Sequence, residues 1–212
     1  RGGRRIDIET ISRSVPLWRT DLGCNFFDPI YGQTETQSLN AWVPLNSGVY
    51  GGVAPGTPNE GASLIYAVRS SYSTGYIFNS IRANSTVFGT DQLDNRYLKA
   101  VGEEFHEVRP FLYGDFYPLQ VYSAKPDAWA IWQWHRPDLK AGVVFALHRQ
   151  TSPYDSIQLA LHAIDPNAQY QVEVRSGLDK VPAKQMSGKE LVNLQVIVPD
   201  KPGSALIFYQ QQ

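Results

Sequence analysis

Sulfur is scarce in this sequence, which contains one methionine and a single cysteine, Cys24. A lone cysteine excludes an internal disulfide and a metal cage built from several thiolates. The histidines are few, far apart and without the spacing of metal ligands, so we expect no metal site; they are His106, His135, His148 and His162. Because the sequence also lacks a phosphate-binding loop and a Ser-His-Asp arrangement, we expect no cofactor.

An excess of charge and long apolar runs are also missing. Nineteen basic residues against twenty acidic ones give a formal net charge of −1. Without a run of like charge, binding to nucleic acid or to a membrane surface has little support. No apolar run is long enough to span a bilayer, and the polar, glycine-rich first residues are unlike a signal peptide. The compartment stays open, although a single cysteine slightly favours the reducing cytoplasm.

The first region, up to about residue 115, alternates short apolar runs, glycine-rich loops and helical stretches. Such alternation indicates an α/β architecture with a parallel sheet. Apolar residues at three- and four-residue steps predict a helix over residues 92–108, with Pro110 just past its end. A second helix is predicted over residues 34–42, and a buried strand over residues 62–70.

The second region follows Tyr117–Pro118 and has a different pattern. Turn-forming residues separate six short apolar or alternating runs, which cover residues 128–135, 142–149, 156–164, 170–175, 191–198 and 205–210. This spacing predicts an all-β unit, an antiparallel β-sandwich. We therefore predict two domains, residues 1–117 and 118–212. The junction is too aromatic for a flexible tether, so we expect the domains to pack together.

The start of the chain carries the residues most suggestive of chemistry. Gly2 and Gly3 have no Cβ, so their backbone can approach a ligand closely, and Arg4 can bind a hydroxyl or orient a carboxylate. Further along, an apolar run leads through Trp18 to the carboxylate of Asp21, as in a strand whose tip presents an acid to a sugar-sized pocket. Three other interpretations stay open: a tight turn at the glycines, plain packing of Trp18, and a helix N-cap at Asp21.

These two segments resemble the Ser-Gly-Gly-x-Arg-x-Asp and Trp-x-x-Asp region of bacterial α-galactosidases (melibiases) of glycoside hydrolase family 36. Further segments are similar to that family in the same order along the chain: residues 31–44, 66–70, 107–119 and 127–138. The resemblance covers most of the sequence. It implies the C-terminal part of a (β/α)₈ catalytic barrel followed by an antiparallel β-sandwich.

The resemblance also implies an activity, the cleavage of terminal α-galactosides by a retaining, double-displacement mechanism. Asp21 matches the family's general acid/base, and Gly2 and Gly3 match the Gly-Gly pair of its motif. With Arg4 and Trp18, the two glycines are the predicted sugar-binding residues. The nucleophile of the family lies upstream of the residues present here. The implied partners are therefore an α-galactoside oligosaccharide and the N-terminal part of the enzyme. Relatives are often tetramers, so a homo-oligomer is a further expectation.

This sequence departs from the family pattern at two positions, and two alternative functions stay open. Leu22 follows Asp21 where many relatives have a polar residue, and Arg1 stands where the motif has serine. An α-N-acetylgalactosaminidase or a transglycosylase would keep the same fold. A non-catalytic carbohydrate-binding or assembly module is the alternative from another class, suggested by the aromatic-rich second region. The 212 residues alone are expected to be inactive.

Overall fold

The computed structural model describes residues 17–18, 28–43, 46–50, 58, 60–78 and 95–212. Its first part contains three strands, β1 (Leu17–Trp18), β2 (Asn46–Tyr50) and β3 (Gly75–Phe78), which pair in parallel in the order β1-β2-β3. Helix α1 (Pro29–Leu39) precedes β2, and helix α2 (Gly61–Arg69) precedes β3. The described residues thus contain three parallel strands with intervening helices, rather than the eight strands of a complete barrel.

Helix α1 begins five residues before the position that periodicity predicts, because its start is set by a cap. The Asp28 side chain accepts a hydrogen bond from the Ile30 amide (2.9 Å), and Pro29 occupies the first helical position. Both residue types are favoured there. The helix ends at Leu39, so the predicted range of residues 34–42 is displaced at both ends.

The predicted strand over residues 62–70 is wrong, because this segment forms helix α2. Leu64, Ala67 and Val68 are buried, and their spacing of three and four residues places them on one helical face. An apolar run of this length fits a buried strand or a buried helix equally well, and the helix-forming Ala and Leu side chains favour the helix. The predicted helix over residues 92–108 is confirmed in the described part as α3 (Asn95–Val108), which continues into a 3₁₀ turn, Arg109–Tyr113.

The rest of the chain forms two antiparallel sheets. The larger contains six strands in the order β4-β5-β6-β11-β8-β9, and the smaller pairs β7 with β10. The strands are β4 (Asp115–Pro118), β5 (Trp129–Arg136), β6 (Ala141–His148), β7 (Ser156–Gln158), β8 (Gln169–Arg175), β9 (Lys184–Ser187), β10 (Gln195–Ile197) and β11 (Gly203–Gln211). A short helix, α4 (Gly188–Val192), begins at a capping box between Ser187 and Glu190.

Both faces of the six-stranded sheet are buried. One face packs against α2 and α3 through Val68, Val101, Val108, Trp132, Phe145 and Leu206. The other packs against the small sheet and its flanking segments through Ile131, Val144, Leu159, Leu191, Val196 and Ile207. Strand β6 is buried at every position, which explains its unbroken apolar sequence. The predicted antiparallel β-sandwich and the packing of the two regions are therefore confirmed, whereas the boundary at residues 117–118 stays a prediction.

The end of β6 carries a buried histidine, His148, which makes stability dependent on pH. Its ring stacks on Trp129 with centroids 4.3 Å apart, and its Nδ1 lies 2.7 Å from the Val198 carbonyl oxygen, to which it donates. Burial lowers the pKa of His148 below its ordinary value of 6.5, although the Val198 carbonyl opposes the shift. Burial likewise lowers the pKa of His135. Both rings are therefore neutral in the folded protein at pH values where the unfolded chain is partly protonated.

We expect the free energy of unfolding to fall as the pH drops below about 6.5, because the unfolded chain then binds protons that the folded chain does not. Each such proton contributes at most about 1.4 kcal/mol per pH unit. Urea denaturation between pH 7.5 and 5 should show the free energy of unfolding falling with pH, and His148→Gln should make this fall smaller. His162→Gln, at an exposed ring, is the control. An unchanged slope in His148→Gln would contradict the assignment.

Candidate functional site

Most of the predicted site residues lie outside the described part of the chain. These are Gly2, Gly3, Arg4 and Asp21. Of Trp18 the structure gives the backbone, as the last residue of β1, paired with Ser47 of β2. Asp21 follows β1 by three residues in the sequence. Because the carboxyl ends of parallel strands share one edge of a sheet, where α/β folds bind ligands, this edge is the candidate site.

The opposite edge of the parallel sheet is fixed by a buried asparagine at the start of β2. The Asn46 side chain donates to the Asn40 Oδ1 atom (2.8 Å) and to the Val43 carbonyl oxygen (3.0 Å). Its backbone carbonyl accepts from the hydroxyl groups of Ser73 and Thr74. These bonds join the end of α1 to the starts of β2 and β3, so they set the positions of the strands that lead to the candidate edge.

A second buried network connects α1 and α2 to the large sheet. Gln33 donates from Nε2 to the Ser70 hydroxyl (2.9 Å) and accepts at Oε1 from Arg149 Nε (2.8 Å). Arg149 is fully buried at the end of β6, and burial lowers its pKa. Its Nη1 donates to the carbonyl oxygens of Ser123 and Lys125, both at 2.7 Å. One guanidinium therefore joins a helix of the first region to the connection between β4 and β5.

Arg69, at the end of α2, is paired with Glu104 of α3 and also bonds to the second region. Arg69 Nε lies 3.0 Å from Glu104 Oε1, and Nη2 lies 2.7 Å from Oε2, with both side chains fully buried. The Tyr72 hydroxyl also donates to Glu104 Oε1 (3.1 Å). The remaining Arg69 N–H groups donate to backbone carbonyl oxygens of the large sheet and its loops, those of Arg175, Ser176, Gly177 and Ser204. Both carboxyl oxygens of Glu104 thus have donors, and Arg69 joins α2 and α3 to the large sheet.

Sequence reasoning did not predict this pair, although one signal pointed to it. Glu104 lies between Val101 and Val108 on the apolar face of α3, and a charge on a buried face requires a buried partner. Arg69 is the last residue of α2. Because a strand was predicted over residues 62–70, the sequence did not place Arg69 at a helix end.

A second arginine, Arg175 at the end of β8, is held by two glutamates. Its Nη2 lies 3.1 Å from Glu107 Oε2 and 2.7 Å from Glu173 Oε1, while its guanidinium carbon lies 4.9 Å from the Phe208 ring centroid. Lys180 completes the group, 2.6 Å from Glu107 Oε1. Partial burial would raise the pKa of Glu107, but the hydrogen bonds from Lys180 and Arg175 outweigh it and hold that pKa below its ordinary value. Glu107 is therefore a carboxylate near neutral pH.

Within the ranges that the structure describes, no group of three or more His, Cys, Asp or Glu residues could hold a metal ion. Among the described helices, none has the length and apolarity needed to cross a bilayer.

Comparison with solved structures identifies the class of fold. The arrangement is that of the C-terminal region of glycoside hydrolase family 36 α-galactosidases. The chain is similar to the α-galactosidase from Lactobacillus brevis, with a TM-score of 0.63 at 13% identity. It is also similar to the α-galactosidase AgaB from Geobacillus stearothermophilus (TM-score 0.61, 16% identity) and to the galactosidase domain of the α-galactosidase-sucrose kinase AgaSK (TM-score 0.61, 14% identity).

Each of these matches covers 88% of this chain but only 25% of the neighbouring structure. No family model and no curated protein matches the sequence. At these identities the likeness is one of fold. The chain therefore has the fold of about a quarter of a family 36 enzyme, without assignment to a particular member.

Proposed function

We propose that this chain is the C-terminal part of a retaining glycoside hydrolase that cleaves terminal α-galactosides. The observation that carries the proposal is the fold shared with several α-galactosidases over 88% of the chain. Asp21, three residues after a strand of the parallel sheet, supplies a carboxylate at a suitable place in the sequence. The other part of the catalytic unit, including the nucleophile, comes from an N-terminal segment outside these residues.

The proposed chemistry needs two carboxyl groups about 5 Å apart. In the first step, Asp21 protonates the departing glycosidic oxygen while the nucleophilic carboxylate attacks the anomeric carbon. In the second step, Asp21 accepts a proton from the water that attacks the same carbon, and galactose leaves with its configuration retained. Gly2, Gly3, Arg4 and Trp18 surround the sugar in this proposal.

The β-sandwich has a supporting role in the same proposal. The buried Arg69–Glu104 pair and the Gln33–Arg149 contact fix α1, α2 and α3 against the large sheet. Helix α1 is in turn joined to the start of β2 by the hydrogen bond from Asn46 to Asn40. Rigid elements hold catalytic groups more accurately than loops do, so the sandwich stabilises the site without contacting the sugar.

The test compares the full-length polypeptide with the 212-residue chain on an aryl α-galactoside, with the first-formed anomer identified by proton NMR. We expect the full-length protein to release α-galactose and the chain alone to show no efficient turnover. Efficient turnover by the chain alone, or β-galactose as the first product, would contradict the mechanism. A preference for the 2-acetamido substrate would indicate an α-N-acetylgalactosaminidase, and transfer to an added sugar would indicate a transglycosylase. If the full-length protein cleaves nothing while residues 118–212 bind sugar, the chain is a carbohydrate-binding module.

A further inference from the structure

A cleft of about 500 Å³ lies between the last two turns of α3 and the turn that follows β8. This volume is in the range of small-molecule sites in proteins. Arg175 and Glu104 lie at its buried side, and Leu178 and Lys180 come from the turn. The cleft belongs to the described helix–sheet junction, whereas the candidate acid/base, Asp21, lies outside the described residues.

The buried groups of this cleft are fixed in place. Glu104 is held by both Arg69 and Tyr72, and Arg175 is held by both Glu107 and Glu173. A ligand that binds here does not have to order these side chains. A site with polar groups already in position loses less entropy on binding.

One donor in the cleft has no partner. The hydrogen bonds of Arg175 start from Nε and Nη2, and Nη1 makes none to any residue that the structure describes. The residue itself is only 1% exposed. Nη1 is not one of the fully enclosed atoms without a partner among the described residues, so an acceptor in the cleft that Arg175 lines can reach it.

The charges around the cleft favour a neutral ligand. An anion that reached Arg175 would also meet Glu103, Glu104, Glu107 and Asp179, and a cation would meet Arg175 and Lys180. Three of these acids are paired already, Glu103 with Lys99, Glu104 with Arg69, and Glu107 with Lys180. Hydroxyl groups both donate and accept, so they suit a surface that presents carboxylate oxygens beside N–H groups. Leu178 and Ala100 add apolar surface for the face of a ring.

We propose that this cleft is a second saccharide site, which binds one or two neutral sugar units with a hydroxyl oxygen on Arg175 Nη1. The proposal requires no hydrolysis and does not depend on the proposed function.

The test is titration of the full 212-residue chain, labelled with ¹⁵N, with methyl α-galactoside and with sucrose. We expect one of these sugars to shift the backbone amides of residues 100–107 and 175–180. Lys180→Ala should weaken this binding about three- to tenfold, the contribution of one hydrogen bond. Ala100→Phe should abolish it by filling the cleft. Lys99→Phe adds the same side chain at the adjacent exposed position and is the matched control.

Three results would overturn the proposal. The first is that neither sugar shifts these amides. The second is that a sugar shifts them equally in Ala100→Phe and in the unmodified chain. The third is that inorganic phosphate or ethylammonium shifts them more than either sugar does. Amide shifts report the position of binding, and hydrolysis is not measured. Failure here is therefore distinct from failure of the α-galactosidase proposal.

Discussion

Asp21→Ala in the full-length polypeptide is expected to slow hydrolysis of an aryl α-galactoside with a poor leaving group by about 10²- to 10⁴-fold, the usual contribution of a general acid. An activated aryl α-galactoside should lose much less in its glycosylation step, because its leaving group departs without a proton. The kcat/KM values of the two substrates, measured with the unmodified protein and the variant, give this difference directly.

A second readout separates proton transfer from a structural effect of the same substitution. The basic limb of the pH profile of kcat/KM reports the ionisation of the general acid, so it should disappear in Asp21→Ala. Asp115→Ala is the matched control, because Asp115 is an exposed carboxylate of β4. If Asp21→Ala cleaves both substrates at the original rate, Asp21 is a helix cap and the acid must be sought elsewhere. Equal loss on both substrates, with the basic limb unchanged, would indicate a structural role.

The elements that the sequence predicts best are those whose pattern has one interpretation. The run over residues 142–149 is apolar at nearly every position, because β6 is covered on both faces, and its short length excludes a typical helix. Apolar residues recur at three- and four-residue steps over residues 92–108, and this segment is long enough to define α3. Residues 62–70 are apolar on nearly all sides, so their period is weak, and the choice between strand and helix depended on propensity.

Two boundary errors have local causes. The start of α1 follows from Asp28 and Pro29, a cap that a search for apolar period does not detect. Strand β10 is shorter than the strand predicted over residues 191–198, because residues 191–192 end α4, whose capping box begins at Ser187. Both capping signals are present in the sequence. They are found when helix caps are assigned before the spacing of apolar residues is considered.

The buried network at the helix–sheet junction lies beyond local prediction. The carbonyl groups that Arg69 contacts belong to Arg175, Ser176, Gly177 and Ser204, which follow Arg69 in the sequence by between 106 and 135 positions. No pattern within a helix-length window carries that information. The acid/base candidate presents the reverse case, since Asp21 was predicted from its place after a short apolar run and from the family resemblance, and it lies outside the described residues.

Arg69→Met is expected to lower the free energy of unfolding by about 3–5 kcal/mol, because it leaves the Glu104 carboxylate buried without a counter-charge. Glu104→Leu should have a similar effect, since it leaves the Arg69 guanidinium without its carboxylate. Urea denaturation at pH 7, followed by circular dichroism, measures both. Lys99→Met is the control on the same helix. Lys99 and Glu103 form an exposed pair at 3.8 Å, with side chains 78% and 65% exposed, so the loss there should stay below about 0.5 kcal/mol.

The double variant Arg69→Met/Glu104→Leu separates the cost of an unpaired charge from the value of the contacts. If unpaired charge dominates, the double variant should be more stable than either single variant, with a coupling of about 0.5–3 kcal/mol. The double variant should still be less stable than the unmodified chain. The Tyr72 hydroxyl and the carbonyl groups of residues 175, 176, 177 and 204 also lose their hydrogen-bond partner. Single variants that cost no more than Lys99→Met would show that the pair does not hold the helices on the sheet. The supporting role of the sandwich would then rest on apolar packing alone.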